Sequence, residues 1–215
     1  MQTPIAVLAG TPVDTQMGVD VLAAANLSGL AFPLASNPWE QTAFQISSPD
    51  EKWAKTLQVL HTAQAQGCEK AFVYCNSLSA SVDFSALAAE TGMKIVTPLD
   101  VYWQLATNYQ RLAFIAANAQ GLAGIEKALL SANPNLELRS AGLLPVVLSI
   151  EAGLPPEQLV EQHHLVALVN WFEFCGAEAL LLGCTHFPYF KEELAQRTLL
   201  PHIDPADEML HLLMN

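Results

Sequence analysis

Two stretches of this chain read alike although they lie far apart. Gly67-Cys68-Glu69-Lys70-Ala71-Phe72-Val73-Tyr74-Cys75-Asn76-Ser77 can be laid over Gly176-Ala177-Glu178-Ala179-Leu180-Leu181-Leu182-Gly183-Cys184-Thr185-His186. Each copy runs from a helix-stopping glycine through an apolar strand to a cysteine eight positions on, then to a small polar residue. Ile5 to Ala9 likewise matches Leu112 to Ala116. Such a repeat requires each half to build its own strand–helix layers. Short apolar runs alternate with longer Ala/Leu/Glu/Gln segments, which predicts an α/β fold with a mostly parallel sheet in each half. Strands are expected at Ile5 to Ala9, Leu30 to Leu34, Ala71 to Cys75 and Lys94 to Thr97, then at Leu112 to Ala116, Leu136 to Leu138, Ala179 to Leu182 and His202 to Asp204. Helices are expected at Met17 to Leu27, Asp50 to Gln66, Ser81 to Thr91, Leu99 to Asn108, Gly121 to Ser131, Pro156 to Phe174 and Tyr189 to Gln196, with one more at the end of the chain.

Composition narrows the function classes. Apolar residues make up 52% of the 215 residues and charged ones only 14%, enough to bury a sizeable core and too little charge for a disordered chain. Nine basic residues face 21 acidic ones, for a net charge of −12, and no Lys/Arg run occurs. Nucleic acid is therefore not an expected partner. Mean hydropathy is +0.27, yet the longest apolar runs are too short to span a bilayer, so no membrane is expected either. The opening Met1-Gln2-Thr3-Pro4 has no basic start and no long apolar stretch. A cytoplasmic protein with reduced thiols is the expectation. No Cys-x-x-Cys occurs, and Cys184 with His186 supplies too few ligands for a metal site.

Ligands in open parallel sheets bind beyond the carboxyl ends of the strands. The repeat puts Cys75 and Cys184 there, and two facing halves would aim two thiols into one cleft. An ordinary cysteine titrates near about 8.5, and a following helix start lowers that value. Two opposed thiols suit one reaction: a thiolate takes a proton from one face of a carbon and the second thiol returns one to the other face. That inverts a stereocentre.

Cys75-Asn76-Ser77 with Ser79, and Leu182-Gly183-Cys184-Thr185-His186-Phe187-Pro188, resemble the two signature motifs of the aspartate/glutamate racemase superfamily. The resemblance spans essentially the whole chain. It implies two pseudo-symmetric α/β subdomains, residues 1–97 plus 201–215 around an inserted 98–200, with the active site in the cleft between them. It implies a homodimer, an amino-acid substrate, and chemistry without pyridoxal phosphate, metal or other cofactor. Carried over by position, Cys75 and Cys184 are the catalytic acid/bases and His186 assists Cys184. Asn76, Ser77 and Thr185 contact the substrate, with Thr11 and Asn118 as further candidates for substrate binding, and either Thr11 or Asp14 takes the place of the aspartate that supports the first cysteine. The chain departs from the family in its first loop, where Gly10-Thr11-Pro12-Val13-Asp14 replaces Asp-Ser-Gly. It departs again at Ala117-Asn118-Ala119-Gln120-Gly121, and at Pro205 after Asp204.

The implied activity is racemisation of aspartate or glutamate. A maleate-isomerase-like or hydantoin-racemase-like enzyme and a non-catalytic ligand-binding protein are the alternatives. Plainer roles compete at single positions. Cys68 and Cys175 are expected to pack as small hydrophobes. Asn76, Ser77, Thr185 and Asp14 are also good capping residues. His163-His164 is expected on a solvated helix face, and Trp39, Trp53, Trp103 and Trp171 in the core or at an interface.

Overall fold

The computed structural model describes residues 3–215. The first half runs β1 (Ile5–Ala9), α1 (Pro12–Ala24), β2 (Gly29–Pro33), α2 (Pro38–Ile46), α3 (Pro49–Ala65), β3 (Lys70–Val73), α4 (Asn76–Ser81), α5 (Phe84–Thr91) and β4 (Lys94–Val96). After α6 (Pro98–Asn108) come β5 (Arg111–Ala116), α7 (Ala119–Ala132), β6 (Glu137–Gly142), α8 (Leu144–Glu151), α9 (Pro156–Gln162), α10 (Leu165–Phe174) and β7 (Ala179–Leu182). A 3-10 turn at Phe187–Phe190, α11 (Lys191–Ala195), β8 (His202–Ile203) and α12 (Ala206–Met214) complete the chain. Two compact units result: the described residues up to Asp100 with Ala206–Asn215, and Val101–Pro205.

In the first unit the sheet order is β2-β1-β3-β4, and every pairing is parallel. All five residues of β1 are buried, as are Ala71, Phe72 and Val73 of β3. This explains why the central strands read as unbroken apolar runs: helices cover both faces of a parallel sheet. The helix α12 closes the unit against β3 and β4, and the Lys70 ammonium donates to the Leu213 carbonyl at 2.9 Å. In the second unit the order is β6-β5-β7-β8, again parallel throughout. Strand for strand, the two orders are the same. The glycines that open the two repeat copies also match in conformation, with φ +86° at Gly67 and +82° at Gly176. Glycine takes up that left-handed turn at least cost.

Several local expectations are corrected. Helix α1 starts at Pro12 instead of Met17, because Thr11 and Asp14 form a capping box around a proline in the first turn. The helices α2 and α8 fall where the sequence reading placed no element; Asn37 caps the backbone N–H groups of Trp39 and Glu40 at the start of α2. The single helix expected over 156–174 is two, since His164 turns left-handed at φ +52°, and His163 Nε2 meets Ser149 Oγ at 2.9 Å instead of lying on a solvated face. The residues expected to continue the first subdomain from 201 divide at 205/206, and β8 pairs with β7 in the second unit. Of the tryptophans expected in the core or at an interface, Trp39, Trp103 and Trp171 are more than half exposed, which excludes only the core for them. Among the described residues, no helix is long and apolar enough to cross a membrane.

Candidate active site

In a 2-1-3-4 parallel order the connections leave β1 and β3 in opposite directions, which opens a crevice at their carboxyl ends. Gly10-Thr11 and Cys75 stand there in the first unit. The equivalent crevice of the second unit lies at the ends of β5 and β7, where Asn118 and Cys184 stand.

Cys75 is buried and is the N-cap residue of α4. Its Sγ lies 3.3 Å from Gln41 Nε2 and 3.5 Å from Ser77 Oγ. Gln41 Nε2 also donates to Ser77 Oγ at 3.2 Å, and Gln45 Nε2 donates to the same oxygen at 2.7 Å. Both glutamines are buried and belong to α2. Gly10 makes the approach of Gln41 possible: a Cβ at Gly10 would overlap its side-chain amide. Asp14 accepts from Gly10 N at 3.2 Å, Thr11 N at 2.6 Å and Thr11 Oγ1 at 2.8 Å. It thereby fixes the loop that carries Gly10. Thr11, Asp14, Asn76 and Ser77 are all buried.

Cys184 is buried, and its Sγ lies 3.6 Å from His186 Nδ1. The other ring nitrogen, Nε2, lies 3.0 Å from Glu151 Oε1 at the end of α8. With Nε2–H donating to that carboxylate, Nδ1 presents its lone pair to the thiol. Thiol, imidazole and carboxylate thus form a chain along which a proton can leave sulfur. The helix expected at Tyr189 to Gln196 is a 3-10 turn from Phe187 followed by α11, so no α-helix begins directly at this cysteine. The group beside the Cys184 thiol is an imidazole instead of a helix terminus. Gly183 N donates to Ile115 O at 2.8 Å, which ties the cysteine loop to the end of β5. Thr185 is buried beside Cys184. Asn118 caps α7 through Gly121 N at 3.0 Å. Tyr102 is wholly buried, and burial, then Asp204, then Cys184, push its phenol well above the usual range, so it stays a hydroxyl donor.

The remaining cysteines differ. Cys68 is buried in the apolar core of the first unit, and burial pushes its thiol up. Cys175 is partly buried at the end of α10. Among the described residues, no group of three or more His, Cys, Asp and Glu side chains is placed to hold a metal ion.

Four residues of these half-sites were missed by the sequence reading: Gln41, Gln45, Glu151 and Tyr102. A signal existed for two of them. Asn37-Pro38 is a helix start, and Gln41 and Gln45 stand four apart on the face that also carries Phe44.

No family model and no curated protein matches the chain. Solved structures do. A glutamate racemase from Francisella tularensis subsp. tularensis SCHU S4, in complex with D-glutamate, matches at a TM-score of 0.74 and 22% identity, over 98% of this chain and 80% of that one. An aspartate racemase homologue from Pyrococcus horikoshii OT3 matches at 0.69 and 15% identity over 100% of both chains. An allantoin racemase from Klebsiella pneumoniae matches at 0.63 and 15% identity, over 99% of this chain and 86% of that one. The chain shares the fold of these racemases.

Proposed function

We infer that this protein is a cofactor-independent racemase of an acidic amino acid, aspartate or glutamate. The observation that carries the reading is the pair of buried thiols at matching strand ends, each with its own neighbours for handling a proton. One thiolate takes the Cα proton and becomes a thiol, and the electron pair left on carbon spreads into the substrate carboxylate. The other thiol then protonates the opposite face. His186, held by Glu151, moves the proton on and off Cys184. Thr11, Asn76, Ser77, Asn118 and Thr185 supply amide and hydroxyl groups for the substrate, and Asp14 holds the first loop in shape. Donors aimed at the developing carboxylate charge stabilise the transition state. The proposal includes a homodimer and a cytoplasmic location.

The deciding experiment incubates the protein in D₂O with each enantiomer of aspartate and glutamate and follows the Cα proton by NMR. Exchange with inversion is expected for at least one pair. Cys75→Ser and Cys184→Ser should each lower it by about 10²–10⁴-fold, the usual worth of a positioned acid or base. No exchange with any of the four defeats the reading, and inversion that survives Cys75→Ser removes that thiol from it. The likeness to allantoin racemase favours one second reading, a hydantoin-type substrate. Exchange with allantoin alone would move the assignment there.

A further inference from the structure

The two thiols have unlike surroundings. Cys184 faces a titratable imidazole. The neighbours of Cys75 include two uncharged groups, Gln41 Nε2 and Ser77 Oγ. Proton counting shows what those groups do. An amide nitrogen only donates, and its two hydrogens match the two acceptors within reach, Cys75 Sγ and Ser77 Oγ. Ser77 Oγ accepts from both Gln41 and Gln45, which fills its lone pairs. Its own hydrogen is then left to donate, and Cys75 Sγ is 3.5 Å away. Two neutral donors therefore converge on one buried sulfur.

We propose that Gln41, seated in the space left by Gly10 and backed by Gln45 through Ser77, is the residue that holds Cys75 as a thiolate. The inference rests on the reading of Cys75 as an acid/base and names what sets its protonation state. Hydrogen bonds to the charged form favour that form, and bonds to an ionised acceptor are roughly twice as strong as neutral ones. The architecture matches the other half. Gln41 lies on the helix after edge strand β2, and Glu151 lies on the helix after edge strand β6. The helix in the same place thus carries an amide to one thiol and a carboxylate to the imidazole beside the other.

The test is a pH titration of thiolate ultraviolet absorbance, with the signal of each protein's Cys75→Ser counterpart subtracted to isolate Cys75. Gln41→Leu should raise the Cys75 midpoint by about one pH unit, about a tenfold loss of thiolate at a fixed pH below it. Gln41→Glu keeps the shape and replaces the donor by an acceptor, so it should raise the midpoint at least as far. Gly10→Ala displaces the amide without removing a polar group and should raise the midpoint as well. The three atoms nearest its Cβ all belong to the flexible end of Gln41, which can shift, so folding is expected to be little affected. An unchanged midpoint in Gln41→Leu and Gly10→Ala overturns the inference, and so does a lowered one, which would mean that Gln41 accepts from the thiol. The titration needs no substrate. A raised midpoint without Cα exchange upholds the donor set and defeats the racemase reading; exchange with an unmoved midpoint does the reverse.

Discussion

A thiol works as a base only when its proton has somewhere to go, and the route proposed at Cys184 is the His186 ring. The Glu151 carboxylate accepts from His186 Nε2 and leaves Nδ1 as the atom facing sulfur. Glu151→Gln keeps the volume but offers an amide hydrogen to Nε2. The ring can then take the other tautomer, with a hydrogen on Nδ1 aimed at the thiol. The expected result is a fall in kcat/KM of about a hundredfold, within the usual range for losing an acid/base. Enantiomers have equal free energies, so the loss must be the same from either substrate. Polarimetric rates from both enantiomers check this, and an unchanged kcat/KM would remove Glu151 from the proton path. At this scale the sequence was legible where chemistry is local. Cys75, Cys184 and His186 stand in short motifs with visible spacing. Their partners do not: Gln41 precedes Cys75 by 34 positions and Glu151 precedes His186 by 35. Only the fold makes them neighbours.

The elements explain which glycines the two cysteine loops tolerate changing. A Cβ on Gly183 would lie 2.7 Å from the Ile115 carbonyl oxygen and against Ile125 Cδ1. The carbonyl belongs to β5, a central strand paired on both sides, and cannot retreat. Gly183→Ala should therefore destabilise the protein by about 1–3 kcal/mol, as overpacking of a tight core does. A urea midpoint lowered relative to wild type checks this, whereas Gly10→Ala should leave it nearly unmoved; equal midpoints for wild type and Gly183→Ala would contradict the contact. The strands were readable because burial on both faces writes them as apolar runs. The short helices α2 and α8 were not. Each carries a proline in its first turn and is too brief for a periodic stripe to stand out. The break at His164 was hidden for a different reason: a left-handed histidine carries no glycine or proline to mark it.

On the scale of the whole molecule, charge works against the proposed substrate. Twenty-one acidic residues against nine basic ones leave −12. All three arginines are paired with acids, Arg111 with Glu178, Arg139 with Glu137 and Arg197 with Glu193. An anionic amino acid must approach through a repulsive field and be held by hydroxyl and amide donors once it arrives. Salt separates those two steps. The screening length falls from about 30 Å at 0.01 M to about 8 Å at 0.15 M. Long-range repulsion is then largely removed, while buried short-range hydrogen bonds are little affected. Raising the salt over that range should increase kcat/KM for aspartate or glutamate severalfold, opposite to the slowing seen when a cationic site steers an anion. A neutral hydantoin-type substrate should show no such rise, so the salt slope also discriminates between the two substrate classes. A fall in kcat/KM with salt would mean that a local positive potential outweighs the net charge, and would overturn the account of substrate capture by uncharged donors.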